Sequence, residues 1–316
     1  MDAVEGNVEL AHLVRSGIVE SKHFGSLLIR DKAGRTLLSL GDVTHPIFPR
    51  SAVKAFQGIA MVRIGLELPP NLLALSAASH SGSQLQVGGV GTILAGAGLT
   101  ESALQCPPDR PYGDAERKAY GATPPARIAH NCSGKHASML ATCVINGWPI
   151  DPYREPMHPL QVAIRAELEA AAQESVAATG VDGCGAPLFA ISLNGLARAF
   201  STLTTSEDAA VIRVSTAMRT YPEMVGGEGR FTTELMRAVP GLLVKEGAEG
   251  VEAAVDQYGN AIVFKIIDGS MRAVPPVLVE ALKQIGIKEP TLAELSRVPI
   301  FGGGEIVGLI EAKPLS

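Results

Sequence analysis

The sequence predicts an α+β fold, in which strands from both ends of the chain form one antiparallel sheet and helices from the middle cover it. Strand-like patterns occupy about residues 15–45 and 250–312, whereas about residues 50–240 show helical patterns. A sheet that draws its strands from both ends cannot form from either half alone. We therefore expect residues 1–316 to fold as a single domain.

The strand patterns are clearest beside turn-forming residues. Residues 24–41 contain two apolar runs around Asp-Lys-Ala-Gly at 31–34, which is typical of a β-hairpin. Near the other end, Gly-Asn at 259–260 predicts a second hairpin turn, and residues 261–267 form a strongly apolar run after it. Residues 305–312 predict the final strand.

The middle of the chain shows the periodicity of helices. Apolar residues at positions 53, 56, 60 and 62 follow the 3.6-residue spacing of a helix that starts after Pro49. Residues 160–178 are rich in Ala, Glu and Leu, which favour helix, and residues 137–144 predict another helix. The proline-rich segment 106–125 interrupts these patterns, and we expect it to be a surface excursion.

Composition excludes several classes of protein. The formal net charge of −5 and the lack of long runs of like charge give no reason to expect a nucleic-acid partner. No stretch of about 18 apolar residues predicts a membrane span, and the N-terminal sequence lacks the pattern of a secretion signal. We therefore expect a cytoplasmic protein with a small-molecule substrate. Its four cysteines are too few for a disulfide scaffold.

Ser51 and Lys54 are the first candidates for catalysis. Pro49 suits the start of a helix, and a spacing of three residues places the serine and the lysine on the same helix face. A serine hydroxyl is a weak nucleophile until a base removes its proton, and a buried, uncharged lysine can act as that base. Alternatively, Ser51 only caps the helix and Lys54 points into solvent.

A second group of candidates lies in a serine-rich segment and in a distant strand. Residues 76–84 crowd small residues and hydroxyls together, including Ser79 and His80, which suits a pocket lining and equally suits a simple loop. Lys265 lies in the apolar run 261–267, where a lysine needs a polar partner or a path to solvent. An edge strand whose lysine reaches solvent is the alternative to a functional role.

Cys132, His136 and Cys184 raise the question of a metal site. Cys132 and His136 lie in His-Asn-Cys-Ser-Gly-Lys-His at 130–136, which leads into the predicted helix 137–144. Thiolate and imidazole are ligands that zinc prefers, but neither cysteine belongs to a C-x-x-C pair. The residues alone therefore leave buried structural thiols as the default.

A glycine-rich segment, Gly-Gly-Glu-Gly-Arg at 226–230, carries charges of both signs. Arg230 can hold a carboxylate through two parallel hydrogen bonds, and Glu228 can hold an ammonium group. This segment is therefore a candidate for binding an amino acid. A surface ion pair on a flexible loop is the alternative.

Six segments, taken together and in their order along the chain, resemble the bacterial L-asparaginase II family of the type first described in rhizobia. They are RSAVK at 50–54, SHSG at 79–82, NCSGKH at 131–136, DGCGAP at 182–187, PEMVGGEGR at 222–230 and VFKI at 263–266. The resemblance extends from about residue 15 to residue 312. It implies a fold similar to serine β-lactamases and serine-dependent glutaminases, a homodimer, and hydrolysis of L-asparagine to L-aspartate and ammonia.

The resemblance also implies roles for individual residues. It implies two serine–lysine tandems, Ser51 with Lys54 and Ser79 with Lys265. It further implies a zinc site formed by Cys132, Lys135 and Cys184. The residues expected to bind the substrate are Arg50, His80, His136, Asp182, Glu228, Gly229 and Arg230.

Ser83 departs from the family pattern. It stands where family members carry a glutamate, shortly after the sequence SHS. A hydroxyl in place of a carboxylate changes the polarity expected of the pocket, and with it the preference among asparagine, glutamine and other amides.

The resulting hypothesis is acyl transfer, in which Ser51 attacks the amide carbon and Lys54 accepts the serine proton. Ser79 and Lys265 then relay protons or protonate the leaving ammonia, and the opposite assignment of the two serines stays open. Two other hypotheses remain. One is zinc-activated hydrolysis of another small amide, and the other is a catalytically inactive amino-acid-binding protein.

Overall fold

The computed structural model describes residues 6–315. Within this range the chain folds into two compact units. The first unit comprises residues 6–52, 191–205 and 234–315, and the second comprises residues 53–190 and 206–233. The chain crosses between the units four times, so neither unit is a continuous segment.

The described residues form eleven β-strands, which are numbered in chain order. They are β1 (Val8–Arg15), β2 (Ile18–Arg30), β3 (Thr36–Leu40), β4 (Pro46–Ile47), β5 (Ala178–Val181), β6 (Pro187–Ser192), β7 (Leu243–Gly247), β8 (Val251–Val255), β9 (Ala261–Ile266), β10 (Val298–Gly302) and β11 (Glu305–Ala312).

The same part of the chain forms twelve α-helices. They are α1 (Lys54–Arg63), α2 (Pro70–Ser76), α3 (Gln84–Gly96), α4 (Asp114–Tyr120), α5 (Ser133–Ile145), α6 (Pro159–Ala172), α7 (Leu193–Thr205), α8 (Ala209–Thr220), α9 (Pro222–Val225), α10 (Phe231–Ala238), α11 (Val274–Gln284) and α12 (Leu292–Leu295). Short 3-10 turns span Arg50–Val53, Glu101–Ala103 and Met271–Ala273.

The first unit is built on one antiparallel sheet with strands from both ends of the chain. Its order is β10-β11-β1-β2-β9-β8-β7, and β3 also pairs with β2. The two predicted hairpin turns are confirmed. The backbone N–H of Asp31 donates to the carbonyl of Arg35 over 2.9 Å between β2 and β3, and the backbone N–H of Asp256 donates to the carbonyl of Asn260 over 3.1 Å between β8 and β9. The α+β class predicted from the sequence is confirmed.

Two helices of the first unit pack on this sheet. Helix α7, from the middle of the chain, contacts β2, β8 and β9, whereas α11 contacts β1, β9 and β11. Helix α11 lies in the C-terminal region where the sequence predicted only strands. Val274, Val277, Leu278 and Ala281 are all buried in it, and their spacing is that of an amphipathic helix.

The second unit is mainly helical. Helix α1 packs against α5, α6 and α8, and α2 packs against α3, α5 and α9. Helix α6 ends at Ala172, earlier than predicted, because Gln173 adopts the left-handed conformation with φ of 52° and residues from Ala178 form β5. No described helix has both the length and the apolar character needed to cross a membrane.

Candidate active site and metal centre

Ser51 lies in the 3-10 turn that precedes α1, within the first unit, and is half-buried. The residue before it, Arg50, adopts a positive φ of 54°. A non-glycine residue in this region stores about 1 kcal/mol of backbone strain, and such strain is common at functional sites. The guanidinium of Arg50 lies 3.9 Å from the carboxylate of Glu249. Lys54 belongs to the second unit, so the pairing of Ser51 with Lys54 stays a prediction.

Lys54 is the first residue of α1 and is buried, with 1% of its surface exposed. Its Nζ donates hydrogen bonds to the carbonyl oxygen of Ala78 over 2.6 Å and to Oγ of Ser79 over 3.0 Å. A third contact, over 3.1 Å, reaches Sγ of Cys132. Lys54 therefore connects the serine-rich segment 76–84 with the segment 130–136, which contains Cys132, and both segments are in the second unit.

The serine-rich segment leaves the end of α2 and is held by backbone hydrogen bonds on both sides. The N–H of Ser79 donates to the carbonyl of Val225 over 3.0 Å, and the N–H of His80 donates to the carbonyl of Asn131 over 3.0 Å. Ser79 is buried, with 4% of its surface exposed. Its hydroxyl is therefore sheltered and positioned by fixed backbone.

His80 is a neutral histidine whose tautomer follows from its partner. Its Nε2 lies 2.8 Å from Oγ of Ser133, whose own hydrogen is donated to the carbonyl of Ile128 over 2.8 Å. Because the Ser133 hydrogen is already used, Nε2 of His80 must be the donor. Burial, together with the positive charges of Lys54 and His130, lowers the pKa of His80 to about 3.

Lys265 lies on β9, which has β2 and β8 as neighbours. The alternative of an edge strand is therefore wrong. Its Nζ donates to the carbonyl oxygens of Glu249, over 2.6 Å, and Ile266, over 2.5 Å. Burial lowers its pKa, and the charges of Glu249 and Asp268 oppose that shift. Lys265 belongs to the first unit and Ser79 to the second, so the predicted tandem between them stays a prediction.

Cys132, Asp182 and Cys184 form a compact cluster in the second unit. Their ligand atoms, two sulfur atoms and a carboxylate oxygen, all lie within 4.8 Å of one another. Cys132 immediately precedes α5, and Asp182 and Cys184 lie in the turn between β5 and β6, where the N–H of Gly185 donates to the carbonyl of Asp182 over 2.8 Å. Gly185 adopts φ of 83°, which a glycine allows.

The two thiols of this cluster are not equivalent. The hydrogen bond between them holds the pKa of Cys184 well below its ordinary value and raises that of Cys132. The ammonium of Lys135, whose Nζ lies 3.1 Å from the Cys184 sulfur, also favours the Cys184 thiolate. Burial alone would lower the pKa of Lys135, but the charges of Cys184, Cys132 and Asp182 outweigh burial and raise it.

His136, one turn into α5, completes this side of the site. Its Nδ1 lies 2.6 Å from the hydroxyl of Tyr153, and its Nε2 has no hydrogen-bond partner among the described residues. Burial lowers the pKa of His136 to about 4, against the opposing effect of Cys184. His136 is therefore a buried, neutral imidazole that lies beside Cys184.

These residues fit the zinc ion that the family resemblance implies. Two thiols and a carboxylate converge, and sulfur ligands are those that zinc prefers. The Cys184 sulfur lies 3.4 Å from Oδ2 of Asp182, so the two atoms are close enough to bind the same metal ion. The imidazole of His136, which interacts with Cys184, is a further nitrogen beside the cluster.

The glycine-rich segment 226–230 contributes Arg230 to the second unit. Its guanidinium carbon lies 4.6 Å from the centre of the Tyr112 ring, which is a cation–π contact. Glu228 and Gly229 are exposed. At Gly227, where φ is 127°, an added Cβ would overlap Oγ of Ser81. Gly227 therefore lets the glycine-rich segment approach the serine-rich segment more closely than a residue with a side chain would allow.

Ser83, the departure from the family pattern, has a structural role. Its hydroxyl accepts the backbone N–H of Gln86, and the Gln86 side chain accepts the N–H of Ser83 in return. This reciprocal arrangement is a capping box at the start of α3.

Several residues near the site were not predicted from the sequence. Tyr153 binds His136, His130 accepts the N–H of Cys132 through Nδ1 over 3.0 Å, and Tyr112 covers Arg230. His130 lies two residues before Cys132 in the candidate metal segment 130–136, so the sequence could have indicated that it lies near the site. The two tyrosines lie outside all six family segments, and nothing local to them indicated a role.

Comparison with known proteins gives a family match over most of the chain. The model of the L-asparaginase II family matches residues 11–312. A putative β-lactamase from Bacteroides dorei DSM 17855 is 13% identical with a TM-score of 0.45, over 86% of this chain and 91% of that chain. A β-lactamase from Mycobacterium bovis is 15% identical with a TM-score of 0.45, over 86% and 95% of the respective chains. No curated protein matches this chain.

Proposed function

Because this chain belongs to the L-asparaginase II family, a family of amidohydrolases that act on small amides, we propose that it hydrolyses L-asparagine to L-aspartate and ammonia by acyl transfer to a serine. The observation that carries the mechanism is the hydrogen bond between buried Lys54 and Ser79. An amine in contact with a sheltered hydroxyl has the geometry needed to exchange a proton with it.

The reaction proceeds in two halves. In the first, Lys54 in its neutral form accepts the proton of the Ser51 hydroxyl while the oxygen attacks the amide carbon. The tetrahedral intermediate then collapses, and the nitrogen leaves as ammonia after it receives a proton. In the second half, water attacks the aspartyl ester, releases L-aspartate and restores the serine proton.

Ser79 is the proposed proton relay in this scheme. Its Oγ accepts from the Lys54 amine over 3.0 Å, so a proton taken up by Lys54 has a direct route to the Ser79 hydroxyl. Lys265 is the proposed partner of Ser79. The opposite assignment, with Ser79 as nucleophile and Lys54 as its base, uses the same hydrogen bond and stays open.

The two assignments differ in which serine carries the aspartyl group. Wild type, Ser51→Ala and Ser79→Ala are mixed with L-asparagine, quenched in acid and measured by intact mass. We expect the mass of one aspartyl group on wild type and Ser79→Ala but not on Ser51→Ala. The reverse pattern assigns the nucleophile to Ser79. If both variants release ammonia as fast as wild type, serine catalysis is refuted. Ser201→Ala, whose hydroxyl binds the carbonyl of Gly259 within the first unit, is the matched control.

Cys132, Lys135 and Cys184 are the residues that would hold zinc, with Asp182 and His136 beside them. When bound there, zinc would supply a fixed positive charge that attracts the polar groups of a substrate. Lys135 must lose its proton before its nitrogen can be a ligand. The sulfur of Cys132 also contacts Lys54, so occupancy of the metal site would influence the proposed base.

A zinc-activated amidohydrolase is the second candidate function, and the cluster of Cys132, Asp182 and Cys184 is the observation that favours it. In that case the metal would activate water and no acyl-enzyme would form. Ammonia release is measured before and after exhaustive chelation. Full activity of the chelated protein excludes this candidate, and loss of activity restored by zinc, without any adduct, favours it.

The third candidate is a catalytically inactive amino-acid-binding protein. Such a protein would bind L-asparagine without releasing ammonia, so an ammonia assay separates it from both enzymes.

The homodimer implied by the family stays a proposal, and light scattering of the purified chain tests it.

A further inference from the structure

The proline-rich excursion of the second unit contacts the serine-rich segment directly. A backbone hydrogen bond over 2.9 Å joins the N–H of Gly113 to the carbonyl of Ser81. At Gly82, an added Cβ would lie 2.9 Å from Cβ of Pro111. An added Cβ at Gly113 would lie 2.7 Å from Cβ of Ser81. The backbones of the two segments therefore lie so close together that only glycine fits at positions 82 and 113.

Ser81 also binds the excursion through its side chain. Its Oγ is 2.9 Å from Oε1 of Glu116 on α4 and 3.0 Å from Oε1 of Gln86. The Gln86 oxygen already accepts the N–H groups of Gly82 and Ser83. A hydroxyl has one hydrogen, and a carboxylate is the stronger acceptor, so Ser81 donates to Glu116.

Tyr112 lies next to Gly113, and its side chain connects the proline-rich excursion to the glycine-rich segment. It immediately precedes Gly113, is 48% exposed, and its ring lies 4.6 Å from the guanidinium carbon of Arg230. A cation held over an aromatic ring is attracted by the ring's electrons, so this contact restricts where the guanidinium of Arg230 can lie.

We propose that Tyr112 is a positioning residue for substrate binding, which holds the Arg230 guanidinium in the orientation that accepts the α-carboxylate of an amino acid. We expect Glu116 to influence substrate binding through Tyr112. The hydrogen bond between Glu116 and Ser81 fixes the part of the excursion that contains Tyr112. This inference rests on the proposed function only in taking Arg230 as the substrate clamp.

The test distinguishes the effect of the Tyr112 ring from the effect of its hydroxyl and from any general disturbance of the excursion. We compare Tyr112→Leu, which removes the aromatic face, with Tyr112→Phe, which keeps it. For Tyr112→Leu we expect KM for L-asparagine to rise by roughly threefold to tenfold with kcat nearly unchanged, as the loss of one cation–π contact predicts. Tyr112→Phe should retain the wild-type KM. Tyr120→Leu is the matched control, because Tyr120 lies in the same proline-rich excursion, at the end of α4, with its hydroxyl bound to the carbonyl of Pro124.

Glu116 is tested by a double-mutant cycle. Glu116→Ala should raise KM, and the double variant Tyr112→Leu, Glu116→Ala should be no weaker than Tyr112→Leu alone, since both act on one contact. Independent, additive effects of the two substitutions would overturn the role given to Glu116.

A binding measurement keeps the inference testable without turnover. The dissociation constant for L-aspartate, measured by calorimetry, should rise in Tyr112→Leu by the same factor as KM and stay unchanged in Tyr112→Phe. If the wild type releases no ammonia but shows this pattern, the proposed function fails and the inference stands. Equal affinities in wild type and Tyr112→Leu, equal losses in the Leu and Phe variants, or no binding of L-aspartate by the wild type would overturn the inference.

Discussion

Nζ of Lys54 donates a hydrogen bond to Oγ of Ser79 over 3.0 Å, across 25 positions of sequence. The same nitrogen lies 3.1 Å from the sulfur of Cys132. One buried amine thus contacts both the serine-rich segment and the thiol cluster. Lys54 therefore links the proposed serine chemistry to the proposed zinc site, and changes at either are expected to affect the other.

The zinc site is tested by comparing buried cysteines. We expect wild-type protein to retain about one equivalent of zinc after dialysis, and Cys184→Ser to lose it, because one of the two thiolate ligands is removed. Metal analysis of the purified proteins gives the measurement. Cys143→Ser is the control, since Cys143 is also a buried, free cysteine, on α5. Equal zinc content in wild type and Cys184→Ser would contradict the assignment.

His80 should make the protein less stable in acid. An unfolded histidine has its ordinary pKa near 6.5, whereas burial lowers the pKa of His80 to about 3. As the pH falls below about 6.5, only the unfolded state takes up this proton, so the free energy of unfolding falls, by up to about 1.4 kcal/mol per pH unit. The loss continues until the pH reaches the folded-state pKa.

The substitution His80→Gln removes this proton uptake and keeps a side-chain N–H for Ser133. Denaturant unfolding between about pH 7 and pH 4 should therefore show a smaller loss of stability in His80→Gln than in wild type. The exposed His45 supplies the control variant, His45→Gln. Parallel pH profiles for wild type and His80→Gln would contradict this prediction, because they would mean that folding does not lower the pKa of His80.

Gly134 should not tolerate a side chain. It lies in the first turn of α5, where an added Cβ would be 2.6 Å from the backbone oxygen of Leu75 and 2.7 Å from its Cγ. Since backbone must move to relieve this overlap, Gly134→Ala should lower the free energy of unfolding by about 1–3 kcal/mol. Gly88→Ala is the control, because nothing lies within 4 Å of an added Cβ there. That variant should gain about 0.5–1 kcal/mol from helix propensity.

The parts of the fold that depend on local signals were predictable from the sequence. The turn at 31–34 and the final strand at 305–312 follow from turn residues and apolar runs that lie next to each other in the chain. Helix α11 was not predicted, because apolar residues occupy nearly every position of 274–282 and a nearly continuous apolar run does not distinguish a buried helix from a strand. The end of α6 depends on Gln173 in a left-handed conformation, which glutamine does not signal.

The site was predictable only as separate segments. Ser79, Cys132 and Cys184 were identified as candidates, but no local pattern indicates that Lys54 contacts the first two. Such contacts depend on how α1, α2 and α5 pack, which periodicity does not specify. The cluster of Cys132 with Cys184 followed from the family resemblance, because the two cysteines are 52 positions apart in the chain. Tyr112 and Glu116 lie in a segment that composition marked only as surface.

The most direct test of the account is the rate of ammonia release from L-asparagine by wild type and by Lys54→Met. Methionine fills a similar buried volume without an amine. We expect kcat to fall by about 100-fold to 10,000-fold, the range typical of losing a general base. Lys283→Met, which removes an exposed lysine paired with Glu280, should keep the wild-type rate. A folded Lys54→Met that releases ammonia as fast as wild type would contradict the central role of Lys54.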